Sequence, residues 1–254
     1  MSAPRLPAGF HVIARDSVGS TNDEARALAQ RGAGEGTIVW ARRQTAGRGR
    51  LGRSWDSPEG NLFMSVVLRP ALAPARAPEL SFVAAVALAE AVAAALPPGP
   101  AVSLVWPNDL MIDGGKAAGI LLEAATTPAG QLDFVVLGIG VNVAGHPAAV
   151  RRPATDLAAA GARIDAAGLL ESVAERLAAW LARWGAEGFA PVRAAWTARA
   201  GGLGAPIDVR RDDALISGTF ADLDDDGAMI IKSPDGSRHR VTAGDVVEPA
   251  RLGA

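Results

Sequence analysis

The sequence predicts an α+β fold over residues 1–203 followed by a small all-β barrel over residues 204–254, and three observations carry that expectation. Up to about residue 200, β-prone runs alternate with alanine-rich stretches of helical periodicity. After Gly201-Gly202 the pattern changes to short β runs alone. Two of the gaps between those runs hold Asp226-Gly227 and Asp235-Gly236, and Asp-Gly between β-prone runs is the strongest local hairpin signal.

The elements follow in order. Phe10 to Ala14 alternates like a strand. Ser17 to Asn22 then offers N-cap residues ahead of Asp23-Glu24 and the periodic Ala25, Leu28 and Ala29, so a helix begins there and stops at Gly32 and Gly34. Thr37 to Ala41 and Asn61 to Leu68 read as strands flanking a glycine-arginine loop. Leu80 to Leu96 is an alanine-rich helix ended by Pro97-Pro98, and Val102 to Trp106 is a strand. Ala117 to Glu123 and Leu132 to Ile139 form a strand pair across Pro128-Ala129-Gly130. Leu170, Val173, Leu177 and Leu181 place an amphipathic helix over Leu169 to Trp184. Five β runs complete the chain: 207–210, 216–223, 228–232, 238–242 and 246–248. Pro70 to Pro78 and Pro147 to Pro153 are expected as loops.

Composition limits the function. At 254 residues and 49% hydrophobic, the chain can bury a full core. A net charge of −2 exerts no global pull on nucleic acid, so locally clustered arginines favour a small anionic ligand. With no cysteine there is neither a disulfide framework nor a thiolate metal site. Only His11, His146 and His239 remain for histidine chemistry, and no metal ligand set is assigned. No basic leader precedes an apolar run, and Glu90 interrupts the longest apolar stretch. The expected setting is the cytoplasm, away from membranes.

The most informative stretch is Gln44-Thr45-Ala46-Gly47-Arg48-Gly49-Arg50-Leu51-Gly52-Arg53-Ser54-Trp55. Glycines let the backbone approach a ligand, and arginines present forked donors to phosphate or carboxylate, so the segment is an anion cradle or, alternatively, a solvated linker. It lacks the Lys-Ser/Thr of a P-loop and the following helix of a dinucleotide fingerprint. Leu51 is its one large aliphatic residue, and the loop is expected to be mobile until a ligand arrives.

Trp106-Pro107-Asn108-Asp109 ends a strand with a rigid turn bearing an amide and a carboxylate. Lys116 opens the next apolar strand. Together they bring an acid, an amide and a second cation to loops off successive strands. Gly138 and Gly140 share one strand face, suited either to a flat group or to close helix packing.

Taken in order, Ser20-Thr21-Asn22, Gln44 to Arg50, Trp106 to Asp109, Lys116 to Leu121 and Gly138 to Asn142 resemble the biotin protein ligase family over residues 10 to 145. The resemblance implies a mixed β-sheet flanked by helices, of the class II aminoacyl-tRNA synthetase-like biotin ligase type, with a small C-terminal SH3-like β-barrel. It implies that biotin and ATP form biotinyl-5′-adenylate, with Mg²⁺, and that biotin then passes to a lysine of a biotin carboxyl carrier protein.

By the same resemblance, Ser20, Thr21 and Gln44, with backbone near Arg48, bind the ureido ring. Trp55, Leu121, Gly138 and Gly140 wall the biotin ring and tail. Arg48, Arg50 and Lys116 hold carboxylate and phosphates, while Asn108 and Asp109 orient the polyphosphate and the incoming lysine. Asn22, Gly47, Gly119 and Asn142 belong to the same binding set. An Asp carboxylate, with an ordinary pKa of about 3.9, is too weak a base for the lysine ammonium, which places Asp109 in electrostatic positioning.

The sequence departs from the family at Val105, where many members carry lysine, and at Leu51, where some carry arginine. Residues 144 to 155 stand where the family closes a loop over adenine, which either gives Arg151 or Arg152 to the adenylate or leaves a solvated loop. The alternative activity is lipoate or octanoate ligation on the same fold; the missing cysteine excludes its thioester route. A repressor role is not expected, since nineteen residues before Ser20 are too few for a helix-turn-helix domain. The expected state is a monomer or weak homodimer.

Overall fold

The computed structural model describes residues 4–148, 153–211 and 214–248. Arg151 and Arg152 lie outside them. A seven-stranded mixed sheet and a five-stranded antiparallel sheet organise the chain.

In the large sheet the strands are β1 (His11–Val18), β2 (Thr37–Gln44), β3 (Leu62–Leu68), β4 (Val102–Val105), β5 (Asp109–Ile112), β6 (Gly115–Thr126) and β7 (Leu132–Val141). Their spatial order is β1-β2-β3-β7-β6-β5-β4, with β1 and β2 parallel and every other pair antiparallel. The parallel step requires a crossover, which α1 (Thr21–Gln30) provides.

Strand β3, with every residue buried, lies between β2 and β7 and reads as a continuous apolar run broken only by Ser65. Helix α2 (Glu79–Ala95) packs against α3 (Ala166–Glu187), and most of its residues are buried. Together with the preceding turn, the segment Pro74–Ala95 is long and apolar enough to cross a membrane. That composition belongs here to a core helix. Glu90, which interrupts its run, accepts a hydrogen bond from Trp180 Nε1 at 3.0 Å.

The structure adds one strand and one α-helix that the sequence reading lacks. Asp109 was expected in a turn but is the first residue of β5, a four-residue strand that closes a hairpin with β4. Such a run is too short for its alternation to stand out beside a Pro-Asn turn signal. Helix α4 (Ala190–Thr197), only eight residues long, follows the left-handed Gly188 (φ 77°).

The small sheet comprises β8 (Pro206–Arg211), β9 (Ala214–Leu223), β10 (Met229–Lys232), β11 (Arg238–Val241) and β12 (Asp245–Glu248), in the order β11-β10-β9-β8-β12. Both Asp-Gly turns connect antiparallel neighbours as expected, with Gly227 at φ 86° and Gly236 at φ 87°. This sheet shares the main hydrophobic core. Phe82 of α2 meets Trp196 of α4 edge-on, with ring centres 5.5 Å apart, and Trp196 meets Phe220 of β9 at 6.5 Å. Trp106 Nε1 donates to the Gly227 carbonyl at 3.1 Å. The turn that carries Asn108 is thereby tied to the second sheet.

Candidate active site

One cleft of about 640 Å³ lies on the face of β6 and β7, under the glycine-arginine segment. It gathers the site residues expected from the sequence, Gly47 excepted.

At one end, side chains from α1, β2 and β3 form a hydrogen-bonded chain. Gln44 Oε1 accepts from the backbone N–H and the hydroxyl of Thr21 at 2.8 and 3.1 Å, and Gln44 Nε2 donates to Ser57 Oγ at 3.0 Å. Ser57 in turn donates to the Trp55 carbonyl at 2.9 Å. Beneath them the buried Ser65 hydroxyl lies 2.8 Å from Thr21 Oγ1 and 2.6 Å from Asn22 Oδ1, both acceptors for its one proton. The amide of Asn22 donates to Glu123 Oε2 at 2.8 Å. Ser20 is the extended residue that caps α1, and it too is buried. Because these groups hold one another inside the protein, the chain they form is arranged before any ligand binds.

The glycine-arginine segment is a tight hairpin. Trp55 N donates to Gly47 O at 2.9 Å and Gly49 N to Arg53 O at 2.7 Å. Position 47 has no room for a side chain: a Cβ there would stand 2.5 Å from both Ser57 Oγ and the Trp55 carbonyl oxygen. Gly47 therefore acts behind the cleft wall, by letting the hairpin close. Leu51 occupies the tip with φ 55° and is 75% exposed, so it anchors nothing here.

The hairpin lays the Trp55 indole on the strand glycines. A Cβ on Gly140 would lie 2.8 Å from Trp55 Nε1, and one on Gly119 would lie 3.3 Å from the same ring. At Gly138 the neighbour is Asn22, whose Oδ1 would be 2.2 Å away. Both readings of the glycine pair therefore hold, a flat ring at 140 and a helix residue at 138. Leu121 of β6 lines the same wall.

The opposite end is ionic. Lys116 Nζ lies 2.6 Å from Asp109 Oδ1 and 5.4 Å from the Trp55 ring centre. Asp109 faces Gly119 across the β5–β6 ladder. Asn108 gives its amide N–H to the Ile120 carbonyl at 2.7 Å, leaving Oδ1 towards Arg50 Nη1 at 3.4 Å. Burial pushes the Arg50 guanidinium down from its ordinary value, with Asp109 opposing. Arg48 differs. Its guanidinium forms a bidentate pair with Asp23 at 2.5 and 2.6 Å, with Glu123 at 3.7 Å, and the Asp23 hydrogen bond raises its pKa.

Asn142 is buried, and its amide nitrogen reaches the carbonyl oxygens of Thr155 at 3.0 Å and Lys116 at 3.4 Å. It fixes the strand end from which Lys116 extends. Val105 is buried in β4 and does not line the cleft. The sequence reading missed Ser57 and Ser65, and it missed the acids that hold Arg48. Ser65 carried a signal, a lone hydroxyl inside an apolar strand. Asp23 and Glu123 carried none, because helix-start acids and strand-end acids are common.

Known proteins match this arrangement along nearly the whole chain. The profile of the Biotin/lipoate A/B protein ligase family covers residues 6–198, and that of the Biotin protein ligase C terminal domain covers residues 202–247. The chain belongs to the biotin/lipoate A/B protein ligase family. Its similarity lies on the biotin side of that family, and the enzyme is a ligase. The biotin–[acetyl-CoA-carboxylase] ligase of Paracoccus denitrificans is 42% identical over 233 residues, covering 89% of this chain and 96% of that protein. The bifunctional ligase/repressor BirA of Bacillus subtilis is 35% identical over 234 residues, covering 90% and 71%. The Aquifex aeolicus biotin protein ligase, solved in complex with biotin and ATP, matches with a TM-score of 0.77 at 27% identity, covering 93% and 97%.

Proposed function

We propose that this cleft joins biotin to ATP as biotinyl-5′-AMP and passes the biotinyl group to a lysine of a biotin carboxyl carrier protein. The observation that carries the reading is the polarity of one cleft: a prearranged amide and hydroxyl set at one end, an indole and glycine wall between, and Lys116, Asp109 and Arg50 at the other. A ureido ring has fixed donors and an acceptor that cannot be left unpaired on burial, which the Thr21–Gln44 end supplies. The tail then runs along Trp55 to the cations.

In the first step a biotin carboxylate oxygen attacks the α-phosphorus, and the bond from that phosphorus to the bridging oxygen breaks, releasing pyrophosphate. Both reactants are anions, so Lys116 and Arg50 act by offsetting their repulsion where charge builds up. In the second step the uncharged lysine amine attacks the acyl carbon. An amide forms, AMP leaves with the bonding electrons, and the amine proton passes to solvent. Asp109 contributes by attracting the incoming ammonium and by holding Lys116.

Among the described residues no group of three or more histidines and acids is placed to cage a metal. Mg²⁺ is ordinarily held through one or two carboxylates together with substrate phosphates, and Asp109 beside Asn108 fits that mode. Bound there, Mg²⁺ would neutralise polyphosphate charge. We assign the main biotin- and ATP-binding catalytic unit to residues 1–203, with residues 204–254 as the smaller unit, and place the reaction in the cytoplasm.

The test is incubation with biotin, ATP, Mg²⁺ and a purified carrier domain, followed by mass spectrometry of the acceptor lysine. A biotinyl adduct is expected; a lipoyl or octanoyl adduct without a biotinyl one, when those acids are offered, overturns the reading.

A further inference from the structure

The large sheet does not line the cleft alone. Arg210 of β8 and Val246 of β12 face it from the small sheet. Gly244, just ahead of β12, accepts from the Arg50 guanidinium through its carbonyl oxygen at 3.2 and 3.3 Å. That strand approach needs glycine, since a Cβ at 244 would lie 2.7 Å from Val209 Cγ1 and 3.0 Å from the Arg210 carbonyl oxygen. Arg210 is thereby set near Arg50, at the ionic end of the cleft.

The neighbouring cations are already engaged. Lys116 is paired with Asp109, Arg48 with Asp23, and Arg50 donates to Asn108 and Gly244. Arg210 is exposed, and it makes no hydrogen bond or ion pair among the described residues. An arginine on a cleft wall with its planar fork unspent is suited to a bidentate anion. The α-phosphate must meet the biotin carboxylate near Lys116, so a cation on the facing wall is placed for the phosphates beyond it.

We propose that Arg210 binds the terminal phosphates of ATP, so that the small sheet supplies part of the adenylation site. This rests on the adenylation reading above. Its consequence is an asymmetry between the two steps. The terminal phosphates leave as pyrophosphate, and the biotinyl-adenylate that remains has nothing for Arg210 to hold.

The experiment measures kcat/KM for ATP in biotinyl-adenylate formation, and separately the transfer of biotin from synthetic biotinyl-5′-adenylate to the carrier domain. Arg210→Ala and Arg210→Lys are compared with the unaltered enzyme, and urea midpoints show that the variants fold. For Arg210→Ala, adenylation is expected to fall about tenfold to a hundredfold, the loss of one charge-assisted contact. Arg210→Lys should recover part of it, and transfer should change by no more than about twofold. Unaltered adenylation in Arg210→Ala, or equal losses in both steps, overturns the assignment. If the unaltered enzyme makes no biotinyl-adenylate, the adenylation reading itself fails and takes this inference with it.

Discussion

Lys116 and Asp109 stand 2.6 Å apart with 27% and 12% of their side chains exposed, so the pair is largely withdrawn from bulk water on the wall of the cleft. Removing one preorganised cation from a developing anionic charge costs about 3 to 4 kcal/mol, or 10² to 10³ in rate. Lys116→Ala is therefore expected to lose adenylation by that factor in a pyrophosphate-release assay, and wild-type turnover would remove Lys116 from the site. Asp109→Asn should retain biotin affinity by calorimetry while turnover drops, since Asp109 lies at the end of the cleft away from Gln44. The glycines predict a different phenotype. A Cβ at 138 would meet Asn22 Oδ1 at 2.2 Å. Asn22 is held by Glu123 and Ser65 and cannot swing aside without breaking both contacts. Overpacking of this kind costs about 1 to 3 kcal/mol, so Gly138→Ala should lower the urea midpoint accordingly.

Two elements carry the site, and they differ in how firmly they are held. Strand β3 is buried along its whole length, and Ser65 is its single polar tie to α1. Ser65→Ala leaves buried oxygens of Thr21 and Asn22 without that donor, at a cost of about 1 to 3 kcal/mol, readable as a lower denaturation midpoint and a higher KM for biotin. The glycine-arginine hairpin is closed by a few backbone bonds and tied at its sides through Arg48 to Asp23 and Arg50 to Gly244, while its Leu51 tip stands in solvent. Each residue ordered costs roughly 1 to 2 kcal/mol of backbone entropy, which so little burial offsets poorly. Ligand binding and loop ordering should accordingly be coupled. Trypsin is expected to cut at Arg48, Arg50 or Arg53 in the free protein and to be blocked by biotin with ATP; equal cutting in both conditions would refute the coupling.

At the scale of the whole molecule, the two sheets are joined through one core. Phe82, Trp196 and Phe220 link α2, α4 and β9, and Arg193 of α4 donates to the Leu223 carbonyl and pairs with Asp222. A Cβ on Gly227 would fall 2.5 Å from the Phe82 ring, so the β9–β10 turn is packed against α2. Trp196→Ala should cost about 3 to 5 kcal/mol and destabilise both sheets together in one cooperative transition. Two separate transitions in calorimetry would show the sheets to be independent. The coupling also matters for the chemistry, because Trp106 bonded to Gly227 and Arg50 bonded to Gly244 make the geometry of the ionic end depend on where the small sheet sits.

Much of this was legible in the chain itself. The glycine spacing around Arg48 and Arg50 and the Trp-Pro-Asn-Asp turn follow from local backbone requirements, and the paired glycines at 138 and 140 stood out by their strand spacing, although Asn22 and Trp55 from elsewhere in the chain are what require them. Local requirements leave residue types at fixed intervals. The Asp-Gly turns of the small sheet were readable for the same reason. Tertiary structure alone decided what lay far apart in sequence: that Asp23 and Glu123 take the Arg48 guanidinium, that Ser65 sits under Thr21 and Asn22, and that Arg210 lines the cleft from the other sheet. Nothing in the local pattern around Asp23, Glu123 or Arg210 distinguishes them from solvated charges. Their partners are set by how a seven-stranded sheet, one helix and a second sheet close on one another, and that closure follows from burial of apolar surface, which is indifferent to which charged group it brings alongside another.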